Sequence, residues 1–220
     1  MPTPFIDRIR LRISRSAVYL RARDLVMRSG RGTYWVVRED LARRYLSGDG
    51  IEIGVLTAPL RTPPGVRVRY VDRLSRDELI SQEGPSLQST GVNPETIVAV
   101  DFVEDAERLV GIADRSVDFA IALHVLEHLE DPIEALTNLV RVVRPGGRLL
   151  IALPEPRLTF DRHRERTTVE HLLDDHESGP ARSRADHHLE WARDIEGLRG
   201  EQKRCLGRAG RAKREEVQHR

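Results

Sequence analysis

Residues 116–154 read SVDFAIALHVLEHLEDPIEALTNLVRVVRPGGRLLIALP, and their hydrophobic pattern decides the fold. The apolar run at 116–124 has the length and residue types of a buried strand, and another such run closes the segment. Between the two runs, apolar residues recur at helical spacing, with Asp131 as the N-cap and Pro132 at the first helical position. Because residues 145–147, Pro-Gly-Gly, would stop that helix, the segment predicts strand, helix, strand.

The chain before this segment continues the same alternation. Strands that alternate with helices form βαβ units and a parallel sheet with helices on both faces. We therefore predict an α/β protein with a Rossmann-like, doubly wound sheet, in which ligands bind beyond the carboxyl ends of the strands. The predicted strands cover residues 50–56, 66–72, 95–101, 116–124 and 146–154.

The two ends of the chain differ from this core. Apolar residues among arginines predict a helix or helix pair over 5–29, and a short helix is expected over 40–46. After Pro154 the sequence becomes polar, with helical fragments near 169–173 and 189–195. The predicted organisation is a basic helical extension (1–47), a Rossmann-like core (48–160) and a polar, helical or partly disordered segment (161–220).

Composition limits the function classes. The chain of 220 residues is 39% apolar and 32% charged, and it has no uncharged apolar run of transmembrane length, so we expect a cytoplasmic protein without stable membrane insertion. The single cysteine, Cys205, excludes an intramolecular disulfide framework. Residues 48–192 contain 16 basic and 26 acidic side chains. This acidic core argues against nucleic acid as the main partner, because phosphate binding needs an excess of lysine and arginine.

Acidic residues close several of the predicted strands. Glu52 lies in the first strand just before Gly54, and Asp72 ends the second strand 20 residues later. That spacing is typical of the carboxylate that binds ribose hydroxyls in dinucleotide-type folds. Asp101 ends the third strand, and Asp105 follows where an adenine amino group could be bound. The alternative is that these residues are ordinary turn and cap aspartates.

A longer motif lies downstream of these acids. The segment that starts at Asp105 contains ADRSVDF before the fourth strand, HVLEHLEDP after it and RVVRPGG before the fifth. This order closely resembles the central signature of class I S-adenosylmethionine-dependent methyltransferases, and most of all the bacterial type 11 enzymes found with glycan and secondary-metabolite genes. The resemblance covers residues 50–160 and is strongest over 105–154.

The resemblance implies S-adenosylmethionine as the cofactor and roles for several residues. Glu52 and Gly54 match the acid and the first glycine of the cofactor loop, and Asp72 matches the acid that binds the ribose. Asp105 and Ala106 match the pair that contacts the adenine. His124, at the end of the fourth strand, matches the residue beside the methionine end of the cofactor.

The loop after the first strand departs from the family pattern. Leu56 and Ala58 occupy positions where the family has glycine, and Pro59 follows. Since glycine alone adopts positive φ at little cost, these residues predict a loop whose geometry differs from the usual one. Gly54 is then expected to supply the close approach to the cofactor.

Methyl transfer needs an aligned acceptor, and a hydroxyl acceptor also needs a base. His124 is the first candidate for that base, against an alternative role in positioning the cofactor or in packing. His128 is a weaker candidate. Asp161 and His163 lack a typical metal-ligand spacing, so no metal site is expected. A polar cluster after the fifth strand could form the acceptor pocket: Arg157, Asp161, Arg162, His163, His171, His176, His187 and His188.

These observations favour a methyltransferase that acts on a small-molecule acceptor, such as the hydroxyl of a sugar or glycan precursor. A cofactor-binding or scaffold protein without catalysis is the main alternative. A nicotinamide-dependent oxidoreductase fits less well, because GIEIGVLTA lacks the G-x-G-x-x-G pattern. The C-terminal strand pair of the family is not evident after residue 160, and a homodimer would cover the sheet edge thereby exposed.

Overall fold

The structure, a computed structural model, describes residues 33–158, 165–181 and 183–194. Five parallel strands form one sheet in the order β3-β2-β1-β4-β5. This confirms the predicted Rossmann-like architecture. The order reverses between β1 and β4, which is where open α/β sheets bind ligands. The strands are β1 (Asp49–Ile53), β2 (Arg67–Asp72), β3 (Phe102–Val103), β4 (Val117–Leu123) and β5 (Val143–Ala152).

The two central strands form the core. Four of the five β1 residues and five of the seven β4 residues are buried, as expected for strands that are covered on both faces. Gly50 lies where β1 passes the fully buried ring of Phe119, and any side chain there would overlap that ring. The apolar core residues include Ile51, Ile53, Val71, Leu109, Val117, Ala120, Ala122, Leu139 and Val142.

Helix α3 (Pro132–Val142) packs its apolar stripe against this core. Ala135, Leu139 and Val142 are buried along one face. The predicted cap is confirmed, because the side chain of Asp131 accepts a hydrogen bond from the Glu134 amide at 2.9 Å. The other helices are α1 (Thr33–Tyr45), α2 (Arg76–Ser89), α4 (Val169–Ser178) and α5 (Arg184–Asp194), with single 3₁₀ turns at Pro94–Thr96, Leu126–His128 and Pro156–Leu158.

The third strand was predicted at the wrong residues. Residues 95–101 do not form a strand: Pro94–Thr96 is a 3₁₀ turn, and strand pairing begins only at Phe102. The cause lies in Asp101, whose carboxylate accepts the Tyr70 amide of β2 at 2.7 Å in place of a backbone carbonyl. Asp101 is therefore engaged with the sheet edge.

Helix α2 follows β2 and was absent from the sequence prediction. It contains Gly84 and Pro85, two residues that normally weaken or interrupt a helix. A capping box compensates at its start, where Ser75 and Glu78 each bind the backbone amide of the other. Arg76 then holds the helix to the next turn by donating to the carbonyls of Glu95 and Ile97.

The chain divides into two compact units. One includes α1 and Leu60–Val66; the other comprises Asp49–Pro59 and the chain from Arg67 onwards, with the sheet. Helix α1 is longer than the predicted segment 40–46, and Asp40 pairs there with Arg43 and Arg44. The predicted helix over 5–29 and residues 195–220 lie outside the described residues, so the predicted three-part organisation stays a prediction.

Two absences hold for the part of the chain that the structure describes. No strand follows Ala152 among residues 153–158, 165–181 and 183–194. Among the same residues, no helix has the length and apolar character that crossing a membrane requires.

Candidate functional site

The predicted site residues meet at one edge of the sheet. Strand register pairs Ile53 with Val71 of β2 and with Ala122 of β4, so the three strands end side by side. Gly54 extends the ladder by one hydrogen bond, from its amide to the Val71 carbonyl at 3.0 Å. The Glu104 amide likewise binds the Asp72 carbonyl at 2.8 Å, which brings the next loop to the same edge. Glu52, Gly54, Asp72, Asp105, Ala106 and His124 all belong to this edge.

The first part of the site is the end of β1. Glu52 is only 2% exposed, which is unusual for a carboxylate, and its charge contributes to a raised pKa of Tyr70 after the larger effect of burial. Gly54 is exposed and has φ +66°, a left-handed conformation that disfavours any other residue. A Cβ atom there would also lie 3.1 Å from Val125 Cγ2. Gly54 thus keeps bare backbone at this edge.

The loop after β1 contains a left-handed residue at Leu56. It has φ +52°, a conformation that leucine adopts at a cost. The surrounding structure holds it there: the Leu56 carbonyl accepts the Val98 amide at 3.0 Å, and the Ala58 amide closes a turn on the Val55 carbonyl at 3.1 Å. Absence of glycine at position 56 has therefore not removed the left-handed conformation.

Asp72 ends β2 with a half-buried carboxyl group. Burial raises its pKa, while backbone hydrogen bonds from Leu74 and Arg73 act in the opposite direction. The net pKa is raised because burial is the larger effect. A carboxylate in this position is a strong acceptor for hydroxyl donors, and it loses that charge at a higher pH than an ordinary aspartate.

The loop after β3 places Asp105 and Ala106. Asp105 is exposed, and its Oδ1 accepts the Glu107 amide at 2.9 Å, the local contact expected of a turn aspartate. Ala106 packs partly against the core. Both the turn role and a ligand role of Asp105 are compatible with this geometry, since a carboxylate accepts several hydrogen bonds.

His124 lies directly after β4 in a strained conformation. Its φ is +59°, although it is not glycine, and its amide is held by the Ala152 carbonyl of β5 at 2.9 Å. Nδ1 of the ring lies 3.0 Å from Glu127 Oε1, and the side chain is 42% exposed. A carboxylate on one ring nitrogen orients the imidazole, so that the other nitrogen can accept a proton.

Two residues that the sequence did not single out organise the loops of this edge. Arg141 of α3 donates to the carbonyls of Arg108, Leu109 and Ile112, all in the loop after Asp105. Glu107 accepts the amides of Glu130 and Asp131 through Oε1, at 2.7 and 3.0 Å. The signal for Arg141 was its place in RVVRPGG, but its partners lie about 30 residues away and have no pattern of their own.

The C-terminal helices are attached next to the same edge. His176 of α4 binds the Asp131 cap through Nδ1 at 2.8 Å. This hydrogen bond raises the pKa of His176; burial tends to raise the pKa of Asp131, but contacts with the Glu134 amide and His176 hold it below its usual range. Arg184 at the start of α5 makes two 2.6 Å contacts with Glu130. Both helices are thus tied to the segment that leads from β4 to α3.

Comparison with known proteins shows what this core resembles. Residues 80–151, from α2 to β5, match the family model described as a methyltransferase domain. The matched segment of the core is similar to class I methyltransferases. This match confirms the resemblance carried by residues 105–154 and, with it, S-adenosylmethionine as the cofactor of the family.

Curated relatives match the methyltransferase core over short regions. An uncharacterized 37.1 kDa protein in a Streptomyces fradiae transposon is 32% identical over 115 residues, which is 52% of this chain and 30% of that protein. A probable S-adenosylmethionine-dependent methyltransferase of Mycolicibacterium smegmatis is 39% identical over 54 residues, 24% of this chain and 21% of that protein. The O-methyltransferase rstn1 of Aspergillus nomiae is 55% identical over 40 residues, 18% of each chain. The chain thus spans less than a third of each relative.

Proposed function

We propose that this protein transfers a methyl group from S-adenosylmethionine to a hydroxyl of a small-molecule acceptor, such as a sugar or glycan precursor. The observation that carries the proposal is the His124–Glu127 pair. It lies at the carboxyl end of β4, where the strand order reverses, and it includes a residue with a positive φ. Strained residues of this kind cluster at functional sites.

The residues at the edge fit the cofactor of the family. Gly54 offers exposed backbone without a side chain, which suits close approach of the methionine part. Asp72 offers a half-buried acceptor for the ribose hydroxyls. Glu52, Asp105 and Ala106 complete the proposed cofactor-binding set, with Asp105 and Ala106 at the adenine. When bound, the cofactor supplies an electrophilic methyl group on a sulfonium.

His124 is proposed as the general base for the acceptor. With Nδ1 directed to Glu127, its Nε2 would take the proton that the acceptor hydroxyl loses. Glu127 would keep the ring oriented and stabilise the imidazolium that results. The likeness to an O-methyltransferase supports an oxygen acceptor, although that match is short.

The partners and location remain predictions. The excess of acidic residues over 48–192 supports a small molecule, and argues against nucleic acid, as the main partner. A cytoplasmic location and a homodimer that covers the sheet edge are the arrangements expected from the sequence.

The test is a transfer assay on the full chain with methyl-labelled S-adenosylmethionine and a panel of sugars, nucleotide sugars and phenols. The His124→Ala variant should lower kcat by about 100-fold or more, the range typical of a lost general base, with binding of S-adenosylhomocysteine nearly unchanged. His128→Ala is the matched control, because His128 lies in the 3₁₀ turn that follows His124, and this variant should keep its activity.

Two results would contradict this proposal. Unchanged kcat in the His124→Ala variant would remove His124 as the base. Cofactor binding without transfer to any acceptor of the panel would favour the scaffold alternative.

A further inference from the structure

We propose that α4 and α5 form a binding site for a zinc ion, with His171, Asp175 and His187 as ligands. This goes beyond the methyltransferase reaction, and it is contrary to the expectation of no metal from the sequence. Within the described residues, these three side chains form a group whose ligand atoms all lie within 4.8 Å of one another.

The distances among the three ligand atoms suit a tetrahedral metal. His171 Nε2 lies 2.9 Å from His187 Nε2 and 3.2 Å from Asp175 Oδ2, and His187 Nε2 lies 3.4 Å from the same oxygen. Zinc binds histidine nitrogen and carboxylate oxygen at roughly 2.0–2.2 Å, which puts ligand atoms of a tetrahedral site about 3.3 Å apart. A shift of a few tenths of an ångström would complete the three-ligand geometry.

Hydrogen bonds and a metal ion would use the three atoms of this cluster differently. A neutral imidazole carries one N–H, so each Nε2 either donates or presents a lone pair. If both rings donate from Nε2, the two N–H groups oppose each other across 2.9 Å. If only one donates, its single N–H is shared between the other ring and the Asp175 carboxylate. A divalent cation can bind all three atoms at once, because each then acts as an acceptor toward it.

The residues around Asp175 fix its carboxylate in an orientation that suits metal binding. Asp175 is 7% exposed, which is rare for a charged residue without a strong partner. Ser183, just before α5, donates from Oγ to Asp175 Oδ1 at 2.5 Å and so directs Oδ2 toward the two imidazoles. Metal ligands are commonly fixed in this way by a second hydrogen bond. The histidine side chains remain 41% exposed, which gives an ion and a water as fourth ligand access from solvent.

Imidazole and carboxylate ligands favour zinc among abundant divalent ions, whereas calcium and magnesium prefer oxygen alone. His171 and Asp175 are one helical turn apart on α4, and His187 comes from α5. A bound ion would therefore clamp the two helices together, in addition to the contacts of His176 and Arg184 with the segment before α3.

The experiment is calorimetric titration of the tag-free, EDTA-treated full chain with zinc chloride. We expect one ion per chain and a rise in melting temperature when zinc is present, because a ligand that binds the folded state stabilises it. His187→Ala and His171→Ala should each weaken binding by about 100-fold, and Ser183→Ala by roughly 10-fold as an outer contact. His188→Ala, the exposed neighbour of His187, is the matched control and should bind as the wild type does.

Cobalt substitution provides a readout that does not depend on affinity. A tetrahedral Co²⁺ site with nitrogen ligands gives strong visible absorption, and this absorption should be present in the His188→Ala variant and absent in the His187→Ala variant. Circular dichroism establishes that each variant is folded. The proposal is overturned if the folded wild type binds no zinc at micromolar concentration, or if His187→Ala and His188→Ala bind zinc equally well.

Discussion

Two turns of the methyltransferase core use the backbone in opposite ways. The backbone turn at the register shift within β5 contains Pro145, Gly146 and Gly147, and Gly146 there has φ +83°. The loop after β1 also needs a left-handed residue, but Leu56 fills that position with φ +52°. The turn in β5 therefore has glycine where a left-handed residue is needed. The loop after β1 has leucine in a conformation that leucine disfavours, and contacts with the rest of the fold hold it there.

The two stretches also differ in the space that is available for a side chain. A Cβ atom on Gly147 would press on the Val143 side chain and lie 2.5 Å from the Asp118 carbonyl oxygen. Backbone atoms cannot move aside without disturbing the pairing of β4 with β5. At Leu56 the cost is only conformational, so the loop tolerates a residue that the turn would not.

The largest effect is expected from Gly147→Ala. The added methyl group should lower the free energy of unfolding by about 3 kcal/mol, the upper range for overpacking, because it meets a backbone carbonyl. Gly84→Ala in α2 is the matched control: its nearest contact would be an ordinary 3.5 Å, so this variant should be as stable as the wild type or slightly more so. Urea denaturation measures both, and equal stability of the two variants would contradict the crowding argument.

A smaller effect, a gain in the free energy of unfolding relative to Leu56→Ala, is expected from Leu56→Gly. Glycine should relieve the left-handed strain, and leucine to alanine should not, since alanine keeps the Cβ atom. Comparing Leu56→Gly with Leu56→Ala removes the contribution of the lost side chain. The glycine variant should be more stable than the alanine variant by about 1 kcal/mol in urea denaturation. If alanine is the more stable of the two, Leu56 is not strained.

Local pattern was sufficient to predict β4, α3, β5 and the cap at Asp131. It also brought the candidate site residues to one edge of the sheet, because Glu52, Asp72 and His124 each stand at or near the end of a strand and parallel strands end at one edge. The match of residues 80–151 to the methyltransferase domain confirms the family that the motif order indicated.

Long-range contacts account for what the sequence did not reveal. The third strand begins only after the predicted segment, because the Asp101 side chain binds the Tyr70 amide, 31 residues away. Arg141 reaches carbonyls about 30 residues before it. His187 joins His171 and Asp175 only because the fold brings α5 near α4. None of these pairings leaves a periodic signal in the chain.

The raised pKa of Asp72 predicts that cofactor affinity depends on pH. Burial raises the pKa of Asp72, so its carboxylate becomes protonated at a higher pH than an ordinary aspartate does. Protonation removes the charged acceptor for the ribose hydroxyls. Affinity for S-adenosylhomocysteine should therefore be full near neutral pH and fall on acidification, and the fall should be absent in Asp72→Asn.

The most direct test of the account is calorimetric titration of the wild type and the Asp72→Ala variant with S-adenosylhomocysteine, with NAD as the control ligand. We predict micromolar binding of S-adenosylhomocysteine alone, weakened in the variant by about 1–3 kcal/mol, as expected for lost hydrogen bonds to a charged acceptor. A folded wild type that does not bind S-adenosylhomocysteine, or a variant that binds it as well as the wild type does, would contradict the proposed cofactor site.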